Sequence, residues 1–330
     1  MKLFRWIFFA LGLGFLGFIF YKIGLEAVAD AINRIGCWFV VILPMNIVWY
    51  FADALGLLTV IRASQKGRSF STAFFLRVQV SGEALNNLTP FMNLGGEPLK
   101  GLLISEVING NDAISALIVD NTIKYTATVV FVAVGFVLSF VFGDFPSSFR
   151  RMLGIAIGVF ALAVIFLILA QTRGFLSRSL SLLSRFPKKF DSLEYLCERA
   201  KTVDIEITRF YRQNLASYGR AFLLHFISRL IAVGDALLVL WVLGTSPSLS
   251  VAILVVSMSI LINLCFSFIP LSMGVSEGGH FLLFSALGLS PETGVVFALI
   301  GRFRGLIWSG IGLGLLALRL SNGFEKDGKS

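Results

Sequence analysis

The sequence predicts an all-α polytopic membrane protein, with about six full spans and two re-entrant helical hairpins arranged as a candidate inverted repeat. Three observations carry this. Of the 330 residues, 56% are apolar and only 14% charged, whereas a soluble domain carries about a quarter charged residues. Apolar runs near 5–21, 37–61, 113–142, 152–170, 221–243, 250–269 and 293–318 approach or exceed the roughly 20 residues needed to cross a hydrocarbon core of about 30 Å. Two polar, glycine-bearing stretches interrupt this pattern, "TPFMNLGGEPLKG" at 89–101 and "IPLSMGVSEGG" at 269–279.

The N-terminus, "MKLFRWIFFALGLGFLGFIFYKIG", begins basic like a signal peptide. Its apolar run from Trp6 to Tyr21 is too long for an h-region, and no clear cleavage site follows, so it is expected to stay as a first span. Residues 25–35 carry apolar residues at helical spacing and charges opposite, the pattern of an interfacial helix.

Basic residues cluster at Lys2/Arg5, at Arg62/Lys66/Arg68, through 171–215, and at Arg319/Lys326/Lys329, while the connection 244–249 has no charge. Placing every cluster in the cytoplasm requires an even number of crossings between successive clusters. Spans 113–142 and 152–170 satisfy this only if 72–108 does not cross. The expected arrangement is therefore a hairpin with arms 78–89 and 98–108, each about 16–18 Å of helix, with Pro90, Gly95 and Gly96 at its tip. A tip at that depth must face protein or a wet cavity. Residues 250–269 either form half of a second hairpin or span outright, and the first alternative keeps both termini cytoplasmic.

The chain then reads as a single domain, 1–330. It holds a span–hairpin–span unit at 37–142, a basic amphipathic cytoplasmic segment at 171–215, and a second unit at 221–318. The basic segment is either an ordinary positive-inside loop or a contact for anionic membrane lipids.

The two polar stretches correspond. Pro90 precedes Glu97 as Pro270 precedes Glu277, seven residues in each case, with glycine between. Lys124 lies 27 residues after Glu97, and Arg304 lies 27 after Glu277, each inside a long span. Units of this kind entering from opposite sides would bring their tips together near mid-membrane, the pattern of alternating-access transporters.

The three cysteines, Cys37, Cys197 and Cys265, and two histidines, His225 and His280, have no metal-ligand spacing. No nucleotide-binding, hydrolase or zinc motif is present, so neither a cofactor nor an enzymatic activity is expected. The formal net charge of +9 fits cytoplasmic loops better than a nucleic-acid partner.

A charge at the bilayer centre costs at least about 2.5–3.5 kcal/mol, which makes the ionisable span residues the candidate site. Glu97 and Glu277 lead. They either line a polar substrate cavity or form local pairs, Glu97 with Lys100 one turn on. Gly95, Gly96, Gly278 and Gly279 would let a head group approach helix N-termini, which suit anions. Asp120, Asn121, Lys124, Arg302 and Arg304 follow, the basic residues serving either substrate or the glutamates. Asn87 on the first hairpin and Asn263 on the second suit packing and capping. Asp53, Arg229 and Asp235 read as buried pairs or anchors, and His280 as a satisfied polar residue.

"NNLTPFMNLGGEPLKGLLISE" resembles the signature of the flippase-like membrane domain of lysyl-phosphatidylglycerol synthases. That pattern places asparagine, proline, Gly-Glu and a basic residue at Asn87, Pro90, Gly96, Glu97 and Lys100. Pro270, Gly274 and Glu277 are similar to the family's later motif, with fewer prolines and glycines. Asp120–Asn121 departs from the family's acid-then-arginine pair. The resemblance implies handling of a polar lipid, a phospholipid or polyprenyl-type lipid, in a prokaryotic cytoplasmic membrane by a stand-alone domain.

Three functions therefore stand as expectations. A lipid translocase would carry head groups past Glu97, Lys100 and Glu277, with a proton on Glu97 or Glu277 as the candidate coupling ion. A secondary transporter of a soluble solute would have a laterally sealed cavity. A scaffold for a lipid-modifying enzyme would have a dry centre with both glutamates salt-bridged. A homo-oligomer is compatible with each.

Overall fold

The computed structural model describes residues 35–89, 95–141, 147–174, 177–179, 191–267 and 274–327. Among them lie eleven helices and no strand: α1 (Trp38–Ile42), α2 (Met45–Ser64), α3 (Thr72–Leu88), α4 (Gly96–Ser105), α5 (Gly110–Val141), α6 (Ser147–Thr172), α7 (Asp191–Gln213), α8 (Leu215–Val242), α9 (Leu249–Cys265), α10 (Val275–Ala286) and α11 (Pro291–Asp327). The expected first span, nearly all of the interfacial helix, Pro90 and Pro270 lie outside the described residues.

Five stretches are long and apolar enough to cross a membrane: Trp38–Ser64, Gly110–Val141, Leu153–Thr172, Leu215–Val242 and Pro291–Leu318. The chain is an all-α polytopic membrane protein. Residues 250–269, left open by the sequence, form helix to Cys265 and turn at 266–267, the last of them described. The 17 residues of α9 are about 25 Å long at 1.5 Å per residue, short of a hydrocarbon core crossed upright.

The first pair of arms differs from expectation. α3 begins at Thr72 rather than 78, because Phe75 is fully buried and draws two further turns into the core. α4 begins at Gly96 rather than 98 and ends at Ser105. Pro98 sits in its first turn, where a missing N–H leaves no intrahelical bond unmade. The corrected arms match the second pair well: 17 and 10 residues in α3 and α4, 17 and 12 in α9 and α10.

Packing repeats between the two units. α2 lies against α8, and each unit's arms pack together, α3 on α4 and α9 on α10. Each unit also lends its first arm to the other's long helix, α3 to α11 and α9 to α5. Apolar side chains gain little by leaving lipid for one another, so close backbone approach at small residues holds such helices together. A Cβ on Gly312 of α11 would stand 2.6 Å from the Val80 carbonyl oxygen of α3, and one on Gly135 of α5 would stand 2.2 Å from Ser257 Oγ of α9.

α7 is the longest described stretch of the basic segment. Its apolar face (Val203, Ile207, Phe210) joins the core beside α5, and Arg199 Nε donates to Asn111 Oδ1 at 3.0 Å. Burial pushes the Tyr211 phenol well above its ordinary pKa, and its hydroxyl donates to Gln171 Oε1 at 2.9 Å.

Candidate functional site

In the first unit, one polar chain links four helices and crosses into the second. Asn121 Nδ2 donates to Glu97 Oε2 (2.7 Å), and Lys100 Nζ donates to Glu97 Oε1 (2.9 Å) and Glu83 Oε1 (3.0 Å). Lys124 Nζ reaches the same Glu83 oxygen (3.4 Å) and Asp53 Oδ2 (3.2 Å). The other Asp53 oxygen meets His225 Nδ1 at 2.9 Å, and His225 Nε2 meets Asp120 Oδ1 at 2.9 Å. Glu97, Glu83 and Asp53 thus each have a lysine beside them, which offsets the cost of taking these charges from water.

Local structure explains the placement. Asn86 Oδ1 accepts from Gly96 N–H at 2.7 Å, capping α4 across the hairpin. A Cβ on Gly96 would stand 2.1 Å from the Gly82 carbonyl oxygen, and one on Gly82 would stand 2.3 Å from Lys100 Cε. Glycine at both positions lets α4 lie on α3 with the lysine stem between them.

The second unit is built alike. Glu277, fully buried, accepts from Gly274 N–H and from Arg302 Nη2, both at 2.9 Å to Oε2. The first contact is half of a capping box, and Gly274 adopts φ 77° to make it, a conformation glycine takes without strain. Arg302 Nη1 also forms an ion pair with Glu277 Oε1, too poorly aligned to count as a hydrogen bond. Arg304 Nη1 donates to both Asp235 oxygens at 2.7 Å, and its guanidinium lies 5.0 Å over the Trp49 ring.

Between the units is a cavity of about 600 Å³. Lys124, Arg229, Arg302 and Arg304 line it, with Asp53, Glu83 and Asp235, and with Asn86, Asn87, Ser259, Asn263 and His280. Among the described residues the lining carries four cations against three carboxylates. Arg229 Nε is buried there without a hydrogen-bond partner among the described residues. Asn87 Nδ2 donates to Ser309 Oγ at 3.4 Å, and His280 is held by the Ser276 carbonyl and Ser259 Oγ, each at 2.7 Å.

Of the residues singled out from sequence, Asn87, Lys124, Arg302 and Arg304 line the cavity. Glu97, Lys100, Asp120 and Glu277 stand behind it, orienting the residues that do. Gly96 and Gly274 serve helix approach and capping, and a Cβ on Gly95 would stand 2.4 Å from Thr89 Oγ1. Pro90 and Pro270 lie outside the described residues. Sequence reasoning left Asp53, Glu83, Arg229, Asp235 and His280 out of the site, although each lines the cavity. It gave His225 no role. An available signal was that all five sit in or beside apolar helical runs, where an ionisable residue needs a partner. Among the described residues no group of histidines, cysteines and carboxylates could hold a metal ion.

No curated protein and no solved structure matches the chain. The family model described as "Lysylphosphatidylglycerol synthase TM region" matches residues 5–314. With that match across nearly its whole length, the chain belongs to the lysylphosphatidylglycerol synthase TM region family.

Proposed function

We propose that the protein moves a polar lipid head group between leaflets, through the cavity between its two units, without catalysing a reaction. The observation that carries this is the cavity's lining. Four cations and three carboxylates from both units face one space of about 600 Å³ inside a membrane-spanning bundle. Packing alone does not require so many charges there, and each is costly unless a polar occupant or a partner is near. The cationic excess suits a phosphate, and the carboxylates beside it suit the polar groups that a phospholipid or polyprenyl-phosphate carries.

In this reading the arm pairs α3–α4 and α9–α10 are re-entrant hairpins of an inverted repeat, with broken helices meeting at the cavity. The 17-residue first arms and the exchange of those arms between units support it. Both termini are then cytoplasmic, the membrane is a cytoplasmic one, and α7 with its basic neighbours lies against anionic lipid.

One observation favours the scaffold reading: Glu97 and Glu277 are both salt-bridged. A single experiment separates the two. The protein is reconstituted into vesicles carrying a fluorescent phospholipid, and quenching from outside reports leaflet exchange. Exchange above empty vesicles, lost in an Arg302→Gln/Arg304→Gln variant that remains folded, is the expected result. Exchange no faster than in empty vesicles, under either membrane-potential or pH gradients, would sink translocation and leave the scaffold.

A further inference from the structure

We infer that His225, clamped between Asp53 and Asp120, is a proton-binding site linked to the cavity: a phosphate-bearing group that draws Lys124 away from Asp53 binds together with one proton on the His225 ring. This rests on the cavity holding a head group, as proposed above.

The clamp itself implies the proton. His225 is fully buried, and each ring nitrogen lies 2.9 Å from a carboxylate oxygen. A neutral imidazole has one N–H, so its second nitrogen would set a lone pair against a carboxylate. Two such contacts are satisfied together when both nitrogens donate. The ring also has no room to turn away. A Cβ on Gly56 of α2 would stand 2.6 Å from Nε2 and 2.8 Å from Cε1, so this helix closes on the ring where only glycine fits.

The clamp communicates with the cavity through one shared carboxylate. Asp53 holds His225 with Oδ1 and Lys124 with Oδ2. Asp53 and Lys124 line the cavity, whereas His225 does not. Among the described residues, other charges near the ring are few. α2 supplies Asp53, and α5 supplies Asp120 and Lys124. α8 supplies Arg229, one turn on, which acts on Asp53. α1 and α9 carry no charged side chain. From α7, Tyr211 packs on Tyr218, two turns before His225.

When an anion attracts Lys124, Asp53 loses its cation and the neighbouring ring holds its proton more firmly. The proton comes from water and returns to it when the anion leaves, and no bond is made or broken besides. By linkage the effect is reciprocal, so a bound proton strengthens anion binding. Glu97 and Glu277, the carriers expected from sequence, already sit on Lys100 and Arg302.

The chain's two histidines make the test direct. Nitrogen-15-histidine NMR of the whole protein in dodecyl maltoside micelles, whose head groups carry no phosphate, resolves the two imidazole rings, assigned by His225→Gln. The titration is run with no probe, with dihexanoyl-phosphatidylglycerol, and with glycerol phosphate. The expected result is a His225 ring with both nitrogens protonated at low pH, its midpoint moved upward by a phosphate probe. Probe affinity then falls by up to about tenfold per pH unit between the probe-free and the probe-bound midpoint, and the fall disappears in His225→Gln. A shift with the lipid probe alone assigns the site to a head group, and one with both probes assigns it to phosphate itself. A singly protonated ring at every pH overturns the proposal, and wild type decides this even if the variant does not fold. Probe binding with an unmoved midpoint removes the linkage alone. No binding at any pH removes the linkage and the head-group reading together.

Discussion

The two units build the same frame and fill it with different charge. In each, an aspartate on the first helix pairs with a base on the long helix, Asp53 with Lys124 and Asp235 with Arg304. In each, the glutamate at the start of the short arm is held from the long helix just before that base, Glu97 by Asn121 and Glu277 by Arg302. Between the arms the units part. Lys100 bonds Glu83 across α4 and α3, whereas His280 bonds Ser259 across α10 and α9. The first hairpin is thus locked by ions and the second by neutral hydrogen bonds. An ion pair without water is costly to separate, and a hydroxyl–imidazole bond is easily exchanged for one to water. The second hairpin is therefore the better candidate to move, and the first to stay.

The largest expected effect tests that lock. Glu83 accepts from both Lys100 and Lys124, so Glu83→Ala leaves the buried Lys100 and the half-buried Lys124 each short of a carboxylate. Breaking a buried pair this way costs about 3–5 kcal/mol. Asn263 is the counterpart of Glu83 on α9 and is exposed to the cavity. Asn263→Ala should cost less than about 1 kcal/mol. Denaturant unfolding in one detergent compares them, and equal losses would end the distinction between the hairpins.

A smaller effect tests the frame. In Gly96→Ala the new methyl meets the Gly82 carbonyl, backbone that cannot swing aside, whereas on Gly101 it meets only Leu117 Cδ1 at 3.5 Å. Overpacking of the first kind costs about 1–3 kcal/mol. Gly101→Ala should be neutral or slightly stabilising, because alanine favours helix by about 1 kcal/mol. Melting temperatures that fall equally in both would mean that α4 does not rest on α3 at Gly96.

Much of this frame was legible in the sequence. The hairpin glutamates and the long-helix bases stand out because proline, glycine and charge in an apolar chain are local signals, and their common spacing survives any doubt about helix ends. Partnership was less legible. Asp120 and Asn121 are neighbours in sequence, yet a helix turns about 100° per residue, and that rotation sends one to His225 and the other to Glu97. Asp53 and His225 come from different units, and the glycine that admits the ring, Gly56, looks in sequence like any small residue in a span. The α3 boundary was misjudged because the crossing count requires only that 72–108 turn back and says nothing of where the first arm begins, which the burial of Phe75 decides. The cavity is a property of how α2, α3, α8, α9 and α11 converge, and no periodicity encodes that.

The smallest expected effect asks whether charge alone makes the two units equivalent. Arg304→Lys gives the second unit the base that the first already uses. An ammonium keeps the attraction to Asp235 but loses the planar group that lies over Trp49. That face contact is worth about 0.5–2 kcal/mol, and lysine forms a single point contact where guanidinium presents a fork. Stability should therefore fall by an amount in that range. Lipid exchange is the sharper reading, because Arg304 lines the cavity while Trp49 stacks on it there. If the occupant needs only positive charge, exchange in Arg304→Lys stays near wild type while Arg304→Gln loses it. If lysine fails as badly as glutamine, the second unit reads its ligand through guanidinium geometry, and the difference between the units extends from their hairpins into the cavity itself.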